Sequence, residues 1–220
     1  MSDQLKSSIE VSSCSSIPEL QGYLSITLGP MMSGKTLAVV LKGTEEAQFG
    51  YKVLYINHSD DVRVTAGGDG KGFSSHCESL KTMTDKIDVV SVSKLSDVNV
   101  DDYAVICIDE GQFFSDIVEC VLDWVNNKRK HVHIAALDGT FEKKLFGNVY
   151  KLLPEADYFV KKSAHCKYCM EELHLNGHKR PVIGLPAPFT MRLGSGKSEK
   201  EIGGQDKYAS VCRLHHKIQI

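Results

Sequence analysis

Two segments of the sequence carry residue types suited to phosphoryl chemistry, and the first is a glycine-containing loop. Residues 29–36 read GPMMSGKT and match the pattern G-x-x-x-x-G-K-[ST] at every fixed position. In such a loop, backbone amides at a helix N-terminus point at phosphate groups, the lysine reaches the β- and γ-phosphates, and the final hydroxyl ligates Mg²⁺. The pattern therefore predicts a phosphate site formed by Gly29, Pro30, Met31, Met32, Ser33, Gly34, Lys35 and Thr36.

The second segment, VICIDEGQFF at residues 105–114, places two acids after an apolar run. Asp109 is positioned to hold Mg²⁺, directly or through water, beside the phosphate loop. Glu110 is then available as a general base. It would activate water in an ATP-hydrolysing protein, or take the proton of an acceptor hydroxyl in a kinase, and these two residues do not distinguish the two reactions. The simpler alternative is a solvated glutamate that follows a strand.

A third set of residues suits zinc. Cys166 and Cys169 form a C-x-x-C pair, and Cys212 and His215 form a later C-x-x-H pair. Two close pairs of such ligands predict a closed, tetrahedral, structural Zn²⁺ site. The alternative is a group of unrelated thiols.

Three histidines are candidates for the fourth zinc ligand, because His165 and His216 adjoin proposed ligands. Spacing favours His215, since C-x-x-H mirrors C-x-x-C. The remaining cysteines have no such partners and are interpreted as ordinary thiols: Cys14, Cys77, Cys107 and Cys120.

The elements that must position these residues follow from the hydrophobic pattern. Short runs rich in valine and isoleucine are typical of parallel strands covered on both faces. The five predicted strands are residues 23–29, 52–58, 88–93, 103–109 and 131–138. Helices are predicted at 35–49, ended by Gly50, and at 115–127, with Ser115 as N-cap. The alternation predicts an α/β fold, a doubly wound and mostly parallel sheet of the P-loop type, over residues 21–164.

The two ends of the chain differ from this central part. Residues 1–20 are polar and serine-rich and are expected to form a disordered tail. From residue 165 onward cysteine, histidine, glycine and proline become dense and helical periodicity disappears, so residues 165–220 are predicted to form a small zinc-binding domain. Its segment 174–191 holds three of the six prolines and is expected to be an ordered or extended loop rather than a helix.

Composition limits the classes of partner. The chain has 220 residues, 42% of them hydrophobic, and a net charge of −2, which provides no general attraction to nucleic acid or anionic membranes. No apolar run reaches the roughly 18 residues of a membrane span, and residues 1–16 lack the apolar core of a signal peptide. A cytoplasmic protein that binds neither nucleic acid nor membrane is expected.

Five segments together resemble one family. GPMMSGKT, IDEGQFF, AALDGTF (135–141), the C-x-x-C pair and GGQDKYASVCRLH (203–215) follow the order of the cytosolic-type (type II) thymidine kinases, from about residue 22 to 216. The resemblance implies transfer of the ATP γ-phosphoryl group to the 5′-hydroxyl of thymidine, with Mg²⁺ and a structural Zn²⁺. It also implies a homotetramer and feedback inhibition by dTTP.

The resemblance further implies roles for individual residues. Glu110 would accept the proton of the 5′-hydroxyl, and Asp61 and Arg63 would lie near the metal and the reacting phosphates. Residues 192–208 would form a flexible "lasso" that closes over the base. The residues implied to contact thymidine are Met31, Phe113, Leu137, Phe141, Phe146, Arg192, Gly203 and Tyr208.

Two other functions compete with a nucleoside kinase. A P-loop ATPase would turn over ATP without any nucleoside, with Glu110 activating water. A non-catalytic nucleic-acid module built on the zinc ribbon would depend on local basic residues near the C-terminus, and the near-neutral net charge disfavours it.

Overall fold

The centre of the protein is a six-stranded, all-parallel sheet. The computed structural model describes residues 21–60, 87–175, 177, 185–194 and 207–216. The strands of the sheet are Tyr23–Gly29 (β1), Val53–His58 (β2), Ile87–Val92 (β3), Val105–Ile108 (β4), His131–Leu137 (β5) and Tyr158–Lys161 (β6). They are hydrogen-bonded in the order β3-β2-β4-β5-β1-β6. The predicted α/β fold with a parallel sheet is confirmed.

The core explains why the strand sequences are almost continuously apolar. Alternate residues of one strand enter two different clusters: Leu54 and Ile56 of β2 face one side, and Val53 and Tyr55 face the other. Helix α1 (Lys35–Gln48) covers the second side and α2 (Ile117–Leu122) covers the first. Because both faces are buried, most side chains of both sets are apolar, which removes the alternation typical of a half-exposed strand.

The helix ends agree with the sequence at α1 and disagree at α2. Gly50, with a φ of +93°, follows α1 as predicted. The predicted N-cap Ser115 is wrong, because α2 begins at Ile117 and its preceding residue is Asp116. The Asp116 carboxylate instead accepts hydrogen bonds from the amides of Leu95 and Ser96, at 3.3 and 3.0 Å. The segment before α2 is therefore positioned by a contact with the turn after β3.

The C-terminal part holds one helix that the sequence did not predict. Helix α3 (Lys167–Leu175) follows the two-residue strand β7 (Ala164–His165), so the expectation that helical structure ends near residue 165 is wrong. Strands Pro186–Ala187 (β8), Phe189–Arg192 (β9) and Tyr208–Val211 (β10) complete this part. The prediction that 174–191 is not helical is wrong at His174 and Leu175, which end α3. The extended structure of β8 and β9 agrees with it among the described residues from 185 onward.

Several predictions fall outside the described residues. The polar tail of residues 1–20 and the middle of the lasso, 195–206, are among them. The two ends of the segment expected to form the lasso are described, and Arg192 of β9 pairs with Tyr208 of β10 in an antiparallel ladder. The division into a domain at 21–164 and another at 165–220 stays a prediction. None of the described helices combines the length and apolar character that crossing a membrane requires.

A partly buried polar cluster joins α1 to the sheet and makes stability depend on pH. Glu46 contacts His131 Nδ1 at 2.9 Å and His133 Nε2 at 2.7 Å, and Ser25 Oγ lies 2.6 Å from His133 Nδ1. Burial raises the pKa of the Glu46 carboxyl, but the hydrogen bonds and charges of His133 and His131 outweigh it and hold this pKa below its ordinary value.

A carboxyl group with a lowered pKa stabilises the folded state above its unfolded pKa, and this stabilisation is lost as pH falls through the folded pKa. We expect Glu46→Gln to lower the free energy of unfolding by about 1 kcal/mol at pH 7 and the deficit to shrink below about pH 4.5. Urea unfolding of both proteins between pH 7 and 3.5 measures this. Glu45→Gln, which changes an exposed neighbour on α1, is the control. If the deficit in the free energy of unfolding changed with pH equally in both variants, the assignment to Glu46 would be contradicted.

Candidate active site and metal centre

The phosphate loop connects β1 to α1, where the predicted pattern placed it. Gly29 is confined, because a Cβ atom there would lie 2.8 Å from both the Lys162 carbonyl oxygen and Ser33 Oγ. Only a residue without a side chain lets the loop turn this closely over the adjacent strand. Gly34, at a φ of +74°, leads directly into α1. The loop therefore brings its amides to the N-terminus of a 14-residue helix, which suits an anion.

The interior of the loop is held by its own side chains. The carbonyl oxygen of Pro30 accepts hydrogen bonds from Ser33 Oγ and from Lys35 Nζ, both at 2.8 Å. Lys35 is buried, with 8% of its surface exposed, so its charge is held inside the loop and not in bulk solvent. A cation in this position can bind the phosphate oxygens of a nucleotide.

Asp109 follows β4 and meets the end of the phosphate loop. Its carboxylate is buried and accepts a hydrogen bond from the Tyr55 hydroxyl at 2.8 Å and another from the Thr36 hydroxyl. Burial and the negative charge of Glu110 raise the pKa of Asp109 to about 6, against these hydrogen bonds. Two residues 73 positions apart thus place a hydroxyl and a carboxylate together, the oxygen ligands that Mg²⁺ takes in P-loop proteins.

Glu110 is held in an unusual backbone conformation beside Asp109. Its φ is +52°, in the left-handed region, and its amide donates to Asp109 Oδ1 at 2.9 Å. Its side chain accepts a hydrogen bond from Gln112 Nε2 at 2.5 Å. Left-handed conformations are uncommon for residues other than glycine and cluster at functional sites.

Gln112 is a candidate site residue that the sequence analysis did not identify. It is 3% exposed, and its other amide atom, Oε1, accepts a hydrogen bond from the Leu137 amide at 2.9 Å. One side chain therefore joins Glu110 to the end of β5 and sets the direction of the Glu110 carboxylate. The signal was a polar residue placed directly before two phenylalanines and close to the paired acids, where a buried amide side chain would need hydrogen-bond partners.

The aromatic residues implied to enclose the nucleoside form two groups. Phe113 and Phe146 make an edge-to-face contact, with ring centroids 5.6 Å apart. The loop carrying Phe146 is packed tightly, since a Cβ atom at Gly147 (φ +66°) would lie 2.2 Å from the Gln112 carbonyl oxygen. Phe141 forms the second group, with the Arg192 guanidinium 5.5 Å from its ring centroid.

The remaining expected contact residues are distributed around these groups. Leu137 ends β5 and is joined to Gln112, and Tyr208 begins β10 opposite Arg192. Met31 contacts the C-terminal strands through its backbone. Asp61, Arg63 and Gly203 lie outside the described residues.

The zinc ligand set is brought together as predicted. The three sulfur atoms of Cys166, Cys169 and Cys212 lie 3.5, 3.4 and 3.3 Å from His215 Nδ1, and the Cys169 and Cys212 sulfurs are 3.8 Å apart. A tetrahedron with ordinary Zn–S and Zn–N bond lengths has edges of about 3.5 Å for S···N and about 3.8 Å for S···S. The four donor atoms therefore fit a closed Zn²⁺ site.

The thiol chemistry also suits a metal. Burial raises the pKa of Cys212, but hydrogen bonds from the backbone of His215 and Leu214 and from neighbouring side chains lower it to about 7. A thiol with a lowered pKa is readily deprotonated, which is the form that binds metal.

The structure separates the three candidate histidines. His215 points its Nδ1 at the sulfurs, and its Nε2 lies 3.5 Å from Glu172 Oε1. A carboxylate near the second ring nitrogen is the usual partner of a metal-bound histidine. His216 instead contacts the carbonyl oxygen of Phe141 at 2.9 Å, and His165 is exposed on β7.

Comparison with known proteins agrees with this arrangement. A family model described as thymidine kinase matches residues 22–216. The thymidine kinase of Yaba monkey tumor virus is 37% identical over 197 residues, which cover 88% of this chain and 93% of the viral protein. The vaccinia virus (strain Ankara) thymidine kinase is 36% identical over 194 residues, 87% of this chain and 95% of that protein. "Thymidine kinase, cytosolic" of Bos taurus is 38% identical over 196 residues, 88% of this chain and 71% of the bovine protein. The chain belongs to the thymidine kinase family.

Proposed function

We propose that this protein transfers the γ-phosphoryl group of ATP to the 5′-hydroxyl of thymidine, giving dTMP for DNA precursor synthesis by nucleoside salvage. Family membership supports the substrate pair. The observation that supports phosphoryl transfer is that Thr36, Asp109 and Glu110 lie close together beside the phosphate loop. A metal anchor and a base at one end of a phosphate site are the parts that phosphoryl transfer needs.

In this proposal, each group of site residues has a distinct role. The loop amides and Lys35 bind the phosphates, and Thr36 and Asp109 hold Mg²⁺, which neutralises phosphate charge when bound. Glu110 accepts the proton of the 5′-hydroxyl, and Gln112 keeps its carboxylate directed toward the site. Asp61 and Arg63 are proposed to assist near the metal and the phosphates.

The nucleoside side of the site is proposed from the aromatic groups. Phe113 and Phe146 would pack against the sugar and base, and Phe141 lies beside Arg192 at the start of the lasso. The lasso would close over the base and exclude water, which protects the phosphoryl group from hydrolysis. The other proposed contact residues are Met31, Leu137, Gly203 and Tyr208.

The zinc site is proposed to be structural. Cys166, Cys169, Cys212 and His215 use all four positions of a tetrahedron, which leaves none for substrate. The metal would join the start of α3 to the turn after β10 and so stabilise a part of the chain with a small apolar core. A homotetramer, feedback inhibition by dTTP and a cytoplasmic location complete the proposal by analogy with the family.

A coupled assay with Mg-ATP tests the reaction. The acceptors are thymidine, deoxyuridine, deoxycytidine, deoxyadenosine and deoxyguanosine, with a control that holds no nucleoside. We expect ADP release to depend on thymidine and dTMP to form in equal amount. ADP release at the same rate in the control would instead establish an ATPase in which Glu110 activates water. Absence of turnover by folded, zinc-loaded protein would overturn both.

A further inference from the structure

Two buried hydroxyl groups of the C-terminal strands hold one residue of the phosphate loop. Thr190 on β9 and Ser210 on β10 are register partners in the antiparallel pair, and both contact the backbone of Met31. The Met31 amide donates to Thr190 Oγ1 at 3.1 Å, and Ser210 Oγ donates to the Met31 carbonyl oxygen at 2.5 Å. Thr190 and Ser210, called here the hydroxyl pair, are 7% and 3% exposed.

These contacts differ from the hydrogen bonds that Ser33 and Lys35 make. Ser33 and Lys35 bond within the loop itself, to Pro30. The hydroxyl pair reaches it from strands 159 and 179 residues further along the chain. Both polar groups of the Met31 backbone are thus taken by a separate part of the fold, the part that also carries the zinc ligands.

The position of Met31 makes this contact relevant to nucleotide binding. Met31 lies between Pro30 and Met32, and Met32 has a φ of +59°, which is uncommon outside glycine. A loop that contains such a conformation needs its neighbours to hold it in place. If the Met31 backbone were released, the loop would populate other conformations, and the apparent affinity for phosphate would fall with the binding-competent fraction.

We propose that Thr190 and Ser210 are positioning residues that preorganise the phosphate loop, so that the C-terminal strands set the affinity for the nucleotide phosphates. This inference rests on the proposed function in one respect, which is that the phosphate loop is the nucleotide-binding site. It assigns no contact between the hydroxyl pair and the substrate.

Direct titration of the full, zinc-loaded chain with Mg-ADP tests the proposal without any phosphoryl transfer. We expect Thr190→Val and Ser210→Ala each to raise the Kd for ADP by about 5- to 10-fold, the factor that corresponds to one buried hydrogen bond. Thr190→Ser keeps the oxygen atom and should bind ADP within about twofold of the wild type.

Ser25→Ala is the matched control, since it removes another buried serine hydroxyl, from β1 and away from the loop. It should lower the unfolding temperature comparably and leave the Kd for ADP unchanged. Normal ADP affinity in Thr190→Val and Ser210→Ala, or equally weakened affinity in Ser25→Ala, would show a merely structural role and overturn the proposal.

Amide exchange of the nucleotide-free wild type gives a second test that requires no variant. The Met31 amide should be protected from exchange, because it donates to a buried hydroxyl. Exchange at the rate of an open loop would overturn the proposal. If the wild type fails to phosphorylate thymidine but its ADP affinity depends on the hydroxyl pair, the proposed function falls and this inference stands.

Discussion

Glu110→Gln is expected to fold normally and to lower kcat by roughly 100-fold or more, the usual contribution of a general base. Glutamine has the size of glutamate and can still contact Gln112, which holds the Glu110 side chain at 2.5 Å. It cannot accept the proton of the acceptor hydroxyl. The loss should therefore fall on kcat, measured as dTMP formation at saturating ATP and thymidine.

Matched measurements separate this loss from a change in folding or binding. Glu119→Gln makes the same chemical change at an exposed position on α2 and should keep full activity. Urea unfolding and ADP titration of Glu110→Gln should resemble those of the wild type. A Glu110→Gln variant with near-normal kcat would show that this residue is not the base.

The second large effect concerns the zinc site. His215→Ala removes one of four ligands and should weaken zinc binding by about 100-fold, since a structural site of four ligands is worth about 10–16 kcal/mol in all. Zinc content after dialysis against a chelator of known zinc affinity measures this. His215→Cys should retain zinc, because a fourth sulfur can complete the tetrahedron.

The neighbouring histidine supplies the control for this experiment. His216 directs its Nε2 at the carbonyl oxygen of Phe141 and away from the sulfurs. His216→Ala should therefore keep its zinc, although the packing against Phe141 is weakened. Loss of zinc from His216→Ala, with zinc retained by His215→Ala, would reverse the ligand assignment.

Much of the fold could be predicted because its determinants are local in sequence. The five predicted strands are all present, and the phosphate loop stands between β1 and α1 as GPMMSGKT requires. The sixth strand, β6, was missed because most of its residues are exposed at the sheet edge, where a continuous apolar run is not needed. Helix α3 was missed because two of the candidate metal ligands, Cys166 and Cys169, lie at its start, and such short helices depend on tertiary contacts.

The candidate site, like the fold, has features that the sequence predicted and features that it did not. Residue types and spacing were sufficient to suggest phosphoryl transfer from Lys35, Thr36, Asp109 and Glu110. The spacing of the Cys and His pairs was sufficient to suggest a zinc site. The sequence left open which histidine completes the zinc site. The direction of two adjacent rings decides it, and ring directions depend on what each side chain packs against.

The sequence by itself determined the class of fold, the phosphate loop, the paired acids and the zinc ligand types, because periodicity and motif spacing act over a few residues. Only the tertiary structure showed that Gln112 orients Glu110, that Asp116 binds the turn after β3, and that Thr190 and Ser210 hold Met31. Apart from the Gln112–Glu110 hydrogen bond, which spans two positions, these contacts join residues at least 20 and up to 179 positions apart. A hydrogen bond requires its two atoms to approach within about 3 Å, and only the packing of the whole chain brings such distant residues that close.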